Sequence, residues 1–407
     1  MSDLTTYMYG TCPDCNKKRM NVGWCTNCNV ERLLSDNRWT SGDERIDNFI
    51  KHTQKNAKEA MDYLEWIDFD QFDLVRHTGK FGSFSTIYSA VWMEGPRWNY
   101  DEATGDWRSG GPTKVALKRL DDSQNLSQQF IKRLFKYFKC LQSGSLADFY
   151  GLTRDGTSCI MIVMKFYENG NLYSCLDRWS GYLCWRDTID ILWSISSGLQ
   201  KIHDFELVHG NIHGGNILLE EDETTTDAKI ADTGLIGPSS KPYKNKVFGV
   251  LPFIAPEILG GYKATKASDI YSFGIIMWML STSTRPHEDR AHDEALVYDI
   301  CKGLRPNYNK QTPQVYLELM KKCLNGNPFA RPTSCELNEA FAKWITAICD
   351  DPEPSDLSDQ FDKAEEIKFL SLQSMINVQQ LNKLNINNNA IYFSRDLTNL
   401  VMAKSRL

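Results

Sequence analysis

Residues 208–219 read VHGNIHGGNILL, a polar turn running into an apolar triplet. The turn carries His209, Asn211, His213 and Asn216. The residue on which its chemistry depends is Asn211. An amide can orient a hydroxyl through its oxygen, but it cannot take a proton at neutral pH as a carboxylate would. The stretch therefore poses a choice between a loop that still does proton chemistry and one that only keeps the shape.

Three further stretches complete a pattern around it. Upstream, HTGKFGSFSTIYSAVW (77–92) has Gly79 and Gly82 and then alternates Ile87, Ser89 and Val91, a strand-turn-strand whose glycines let backbone N–H groups approach phosphate. KVALKRL (114–120) is a short apolar strand carrying Lys118. Downstream, AKIADTGL (228–235) places Asp232 at the end of another apolar strand. GVLPFIAPEIL (249–259), ASDIYSFGIIMWML (267–280) and CLNGNPFARPT (323–333) follow in order. Alone, each signal is weak: glycine turns are common, Lys118 could be a solvated lysine, and Asn216 and Asp232 could cap loops. His209 and His213 read as packing and loop residues rather than ligands.

Taken in order, these motifs resemble the signature set of protein kinases, of the tyrosine-kinase-like type. The resemblance implies an α+β, bilobal protein kinase-like fold over residues 69–349, with a β-rich lobe ahead of a helical lobe. It also implies nucleotide binding, with ATP held at Gly79, Gly82 and Lys118. Met164 would be the gatekeeper, and Lys165, Phe166 and Tyr167 the hinge that meets adenine. Asn216 and Asp232 would hold Mg²⁺. Glu257 and Arg331 would pair, and Asp269 would brace the catalytic loop.

Several positions depart from that family's pattern. His209, Gly210 and Asn211 stand where His-Arg-Asp is usual, so the catalytic base is replaced and the arginine that reads an activation-loop phosphate is missing. General base catalysis contributes roughly 10²–10⁴-fold, though phosphoryl transfer is dissociative enough that the loss need not be total. The helix NLSQQFIKRLFKYFKCL (125–141) puts Arg133 where a glutamate pairs with the strand lysine, and no Glu occurs between Lys118 and Glu168. Asp121 and Asp122 are expected in a connecting loop, too short to substitute. Ser85 replaces a third glycine, the loop is one residue longer, and Thr233 stands where a phenylalanine packs.

Ahead of this domain, CPDCNKKRMNVGWCTNC (12–28) holds Cys12, Cys15, Cys25 and Cys28 in two C-x-x-C pairs. Two sulfurs on each of two tight turns suit a tetrahedral Zn²⁺ ion. Four unligated thiols or two disulfides are the alternatives. The expected organisation is a four-cysteine zinc module (1–35), a linker helix (36–68) opened by a Ser41–Glu44 capping box with Ile46, Phe49 and Ile50 on its apolar face, and the kinase-like domain (69–349). The front end also resembles that of a large expanded fungal kinase family. WMEGPRWNYDEATGDW (92–107) reads as an elongated hairpin loop. The segment 350–407 is polar and rich in Asn and Gln, with sparse apolar residues and a helix near 361–372, so it is expected to be partly disordered.

The chain of 407 residues has a net charge of −6, which gives no overall basic field to draw nucleic acid. No apolar run is long enough to span a membrane, and the first residues show no basic-then-apolar leader, so a cytoplasmic, intracellular location is expected. The leading functional expectation is a pseudokinase that binds ATP and acts as a scaffold or allosteric partner of signalling proteins. A weakly active protein kinase acting on protein hydroxyls, Ser/Thr or Tyr, stays open. So does a binding protein whose zinc module is the working part.

Overall fold

The computed structural model describes residues 9–35, 39–82, 84–101, 103–104, 106–141, 146–179, 183–221, 226–235, 237–241, 246–309, 311–350, 354–376 and 386–403. The chain forms two compact units, Met1–Phe166 with Gly237–Pro242, and Tyr167–Ile236 with Tyr243–Leu407.

The first unit runs α1 (Thr26–Ser35), α2 (Glu44–Lys55), β1 (Glu65–Trp66), β2 (Phe72–Gly82), β3 (Ser85–Trp92), β4 (Asn99–Asp101), β5 (Asp106–Arg108), β6 (Thr113–Leu120), α3 (Gln128–Leu141), β7 (Phe149–Arg154) and β8 (Ile160–Lys165). Its main sheet has the order β1-β7-β8-β6-β3-β2, antiparallel except for the parallel β1–β7 edge. Alternation along β6 points Val115 and Leu117 into a core with Ile67, Phe72, Trp92, Tyr150, Met161 and Val163. Residues between them on the strand, Ala116 and Lys118, take the opposite face.

Helix α2 is not a free linker. Phe49, fully buried, meets Phe135 and Phe138 of α3 at ring distances of 5.1 and 6.0 Å. Its N-cap also differs from the expected capping box. Asp43, not Ser41, accepts the capping hydrogen bond, from the Arg45 amide at 2.9 Å. The Ser41 hydroxyl instead donates to Asp47 at 2.5 Å and to the Asp43 carbonyl at 3.0 Å. A carboxylate one residue before the helix suits the helix N-terminus better than a hydroxyl two residues further out.

The 92–107 stretch does form a hairpin, β4 against β5. Its aromatic residues are the seat of the cysteine-rich segment. Trp24, 2% exposed, stacks on Tyr63 at 6.1 Å and meets Trp107 edge-on at 6.1 Å.

The second unit runs α4 (Leu172–Trp179), α5 (Trp185–Asp204), β9 (Ile217–Glu221), β10 (Thr226–Ile230), β11 (Phe248–Gly249), α6 (Pro256–Leu259), α7 (Lys266–Thr282), α8 (Glu294–Cys301), α9 (Gln314–Cys323), α10 (Ser334–Ile345), α11 (Asp356–Ile376), β12 (Arg395–Asp396) and α12 (Thr398–Ala403). Helix α7 is apolar all round and is the central helix, buried without interruption from Ser268 to Leu280. Thr265 and Ser268 close a reciprocal capping box at its start. Gly274 is where α9 comes closest, since a Cβ there would lie 2.8 Å from Cys323 Cβ.

The described part of 350–407 departs from the expectation of a segment with little to bury. Helix α11 is longer than the expected 361–372 and inserts Phe361 and Ala364 among buried side chains, with Phe361 meeting Trp185 and Trp344. Residues 386–403 pack on the same unit, with Leu397 fully buried.

Two imidazoles beneath this segment are held neutral. Burial, then the neighbouring His292 and Arg290, lowers His287 to about 4, and burial first also holds His292 below the usual range. Unfolded histidines titrate near about 6.5. Their stabilising contribution is thus complete above that pH and is lost as pH falls towards the folded values. The expected loss is up to about 1.4 kcal/mol per pH unit for each histidine. Urea unfolding at pH 7.5 and pH 5.5 measures it. His287→Asn, chosen because residue 287 has a φ of 55°, should flatten the dependence.

Candidate functional site

In the first unit, the four N-terminal cysteines converge. Their sulfurs all lie within 4.8 Å of one another, with Cys12–Cys28 at 3.9 Å and Cys15–Cys25 at 3.6 Å. Sulfurs at about 2.3 Å from a tetrahedral Zn²⁺ stand about 3.8 Å apart, so this donor set fits such an ion. Burial resists ionisation of Cys12, but the Cys15 and Asp14 amides and the neighbouring thiols outweigh it and bring that thiol to about 7. None of the ten residues of α1 is buried, so the segment contributes little core of its own.

Lys118 is 7% exposed, in register with Ile87 on β3 and Ile162 on β8. Gly79 has a φ of +76°, and the β2–β3 ladder slips between His77 and Phe81. This bulge absorbs the extra length noted in the glycine stretch. Ser85 is 7% exposed, and its Oγ would lie 3.2 Å from a Cβ built on Gly82. Met164 is nearly buried and pairs with Ala116, while Phe166, the last residue of this unit before Tyr167, lies under the Lys114 ammonium at 4.0 Å.

Arg133 lies on α3, and its guanidinium stacks on Phe130 at 5.3 Å and donates to the Pro238 carbonyl at 3.4 Å. Ser239, 2% exposed, is tied to the same region, its carbonyl accepting from the Ser127 amide at 2.9 Å. Asp121 accepts from Arg119 at 3.0 Å, so that carboxylate is already engaged. Residues 238 and 239 are thus held by hydrogen bonds to α3 and the residue just before it.

In the second unit, the VHGNIHGGNILL loop is organised by Asp269, in the first turn of α7 and 1% exposed. Its carboxylate accepts from the His209 and Gly210 amides, each at 2.8 Å, and faces His203 Nε2 at 3.0 Å. Burial keeps His209 below the usual imidazole range, against the pull of Asp269. The neutral ring therefore donates from Nε2 to the Ala231 carbonyl at 2.9 Å and accepts the Asn211 amide at Nδ1, 3.2 Å.

Asn216 Nδ2 donates to the Asn211 carbonyl at 3.0 Å, which leaves its Oδ1 as the acceptor on offer. Asp232 follows at a φ of 64°, a left-handed backbone that costs of order 1–3 kcal/mol and occurs where surroundings impose it. An amide oxygen and a carboxylate are hard donors that suit Mg²⁺. Asn211 is 9% exposed and its Oδ1 has no hydrogen-bond partner among the described residues. Thr233, 4% exposed, likewise leaves its hydroxyl without a partner among them.

Arg331 forks onto Glu257 with bonds of 2.7 and 2.8 Å and adds the Ala267 and Asn325 carbonyls. One participant was invisible in the sequence: Tyr173 of α4. Its ring stacks on His213 and lies so close to the loop that a Cβ on Gly214 would meet it at 2.5 Å. The doubled glycine of HGGN was the available signal.

Among known proteins, a family model described as protein tyrosine and serine/threonine kinase matches residues 73–341. The serine/threonine-protein kinase STY17 of Arabidopsis thaliana is 27% identical over 247 residues, 60% of this chain and 42% of the relative. A probable serine/threonine-protein kinase of Dictyostelium discoideum is 25% identical over 312 residues, 73% of this chain and 16% of the relative. The chain thus spans less than half the length of these relatives.

Removing one partner of the Glu257–Arg331 fork leaves a charge buried, since the Arg331 side chain has no exposure. Glu257→Ala should therefore destabilise the protein by about 3–5 kcal/mol in denaturant unfolding. The double change Glu257→Met, Arg331→Met should cost less than the single one.

Proposed function

We propose that this chain, which belongs to the protein tyrosine and serine/threonine kinase family, binds Mg²⁺–ATP and transfers its phosphate poorly or not at all, acting as a pseudokinase partner of signalling proteins. The observation that carries this is Asn211, an amide at the position of the catalytic carboxylate, held by the same backbone bonds that an aspartate would receive. Arg133 supports the reading, because it donates to the Pro238 carbonyl and brings no negative charge to Lys118. When bound, Mg²⁺ would neutralise phosphate charge from Asn216 and Asp232, and Lys118 would pair with the α- and β-phosphates.

A residual kinase activity is the second reading, favoured by the retained set of Lys118, Asn216, Asp232 and the Asp269-braced loop. A third reading makes the zinc module the working part with the kinase fold as its platform, and Trp24, built into the aromatic cluster of the first unit, is in keeping with a module seated on that fold. No helix among the described residues is long and apolar enough to cross a membrane.

Nucleotide binding is tested by thermal unfolding with Mg²⁺–ATP. At about 100 times its Kd, ATP should add roughly 2.7 kcal/mol, and Lys118→Met should reduce that shift. No shift, with no displacement of a fluorescent ATP analogue, counts against it. Labelled phosphate transfer tests the defects. Asn211→Asp and Arg133→Glu should each help little and together more than their sum, because catalytic groups act as a unit. A native chain already turning over at about 1 s⁻¹ or faster overturns the pseudokinase reading.

The same module should carry about one zinc per chain by elemental analysis, lost in Cys12→Ser, Cys28→Ser. Four free thiols and no metal in native protein is the opposing result.

A further inference from the structure

A cavity of about 890 Å³ lies in the first unit, and none of the residues assigned to nucleotide lines it. Ligand sites commonly enclose about 300–1,000 Å³. Tryptophans dominate the wall: Trp24 ahead of α1, Trp39 between α1 and α2, Trp66 on β1, Trp92 at the end of β3 and Trp107 on β5. The Trp66 indole donates to Asp68 at 3.2 Å and the Trp92 indole to Gln71 at 2.9 Å, which fixes both rings in place. Trp39, Trp66 and Trp107 are half-buried, so each keeps part of its ring open.

The charge of the lining is uneven. Glu65, Asp68 and Glu94 bring three carboxylates against the guanidiniums of Arg32 and Arg97. Arg32 is moreover turned to Asp14 at 2.9 Å, which is not part of the lining. An electron-rich ring face and a carboxylate both favour a cation. The first unit uses that pairing already: the Lys51 ammonium stands 5.8 Å from the Trp39 ring centre, and the Arg19 guanidinium 5.8 Å from that of Tyr100.

Two lining residues carry a second signal. Gln54 and Trp24 are buried, and Gln54 Oε1 and Trp24 Nε1 have no hydrogen-bond partner among the described residues. Buried polar atoms are nearly always paired. An acceptor and a donor left over in one wall call for a ligand that brings a donor and an acceptor.

A guanidinium suits this wall better than other biological cations. It is planar, stacks on aromatic rings and is more weakly hydrated than an ammonium. Its N–H groups also serve carboxylates and amide oxygens. A quaternary ammonium would use the rings and leave the oxygens unserved.

We propose that this cavity binds an arginine side chain of a partner peptide, with the guanidinium on the indole faces before Asp68 and Glu94, and a carbonyl of the peptide as the acceptor for Trp24. The site is separate from the nucleotide residues and does not rest on ATP binding.

The test uses the full chain with isotope-labelled indoles and two probes. One is N-acetyl-arginine methylamide. The other is its citrulline counterpart, in which a neutral ureido group replaces the guanidinium. Millimolar arginine probe should shift the indole N–H signals of Trp39, Trp66 and Trp107, assigned through Trp39→Phe, Trp66→Phe and Trp107→Phe. The citrulline probe should bind at least about tenfold more weakly, since it keeps the shape and loses the cation. Asp68→Asn combined with Glu94→Gln, both at exposed positions, should weaken the arginine probe by about fivefold. Should that double variant fail to fold, the comparison of the two probes on the native chain decides alone. Equal shifts with both probes overturn the proposal, and so does the absence of any shift at those three tryptophans. Free arginine binding more tightly than the blocked probe overturns the peptide as its source.

Discussion

The carboxylate of Asp269 is the constraint from which the helical unit's candidate site follows. A buried charge with 1% exposure is tolerable only when its lone pairs are filled. They are filled by two consecutive backbone amides, of His209 and Gly210, and by an imidazole. Because those two donors are main-chain groups, the loop is fixed at a point that does not depend on the side chain at 210. Gly210, at a φ of +74°, occupies that turn without strain. From there His209 reaches the Ala231 carbonyl and Asn216 reaches the Asn211 carbonyl, so the residues just after β10, leading to Asp232, are tied to the loop. The shape of the loop is therefore set by main-chain bonds and not by the side chains at 210 and 211.

The first unit is organised differently. Helix α3 carries no carboxylate, and its Arg133 is engaged elsewhere. Arg133 reaches the Pro238 carbonyl, and the Ser127 amide and Asp121 carbonyl engage Ser239. The segment 237–241 is thereby held by hydrogen bonds to the first unit. An arginine with five donors is suited to holding a backbone turn in this way. Arg133 acts there as an anchor for that turn.

How much of this was legible in the sequence follows from the range of the interactions. The period-two pattern of KVALKRL and the unbroken apolar run of α7 are local signals, and Lys118 and Asp269 stand where those patterns imply. The two C-x-x-C pairs bring four sulfurs together, as their spacing suggests. The cap of α2 reads in sequence as Ser41 paired with Glu44, whereas the geometry has Asp43 accepting from Arg45. The docking of 386–403 was not legible at all. Its stability comes from scattered residues, Tyr392 and Leu397, and from main-chain bonds to residues about 100 or more positions earlier, for which composition carries no signal.

The cysteine-rich segment and the carboxy-terminal segment solve the same physical problem in opposite ways. Each is too poor in apolar residues to fold on its own burial. The first gathers four thiols within 4.8 Å and needs only one large anchor, Trp24, placed between Tyr63 and Trp107. The second has no such cluster and borrows order from the surface beneath it, through a ladder, an ion pair and one buried leucine. The amino-terminal segment is organised around its own cysteines, and the carboxy-terminal segment around the strand edge and loop on which it packs.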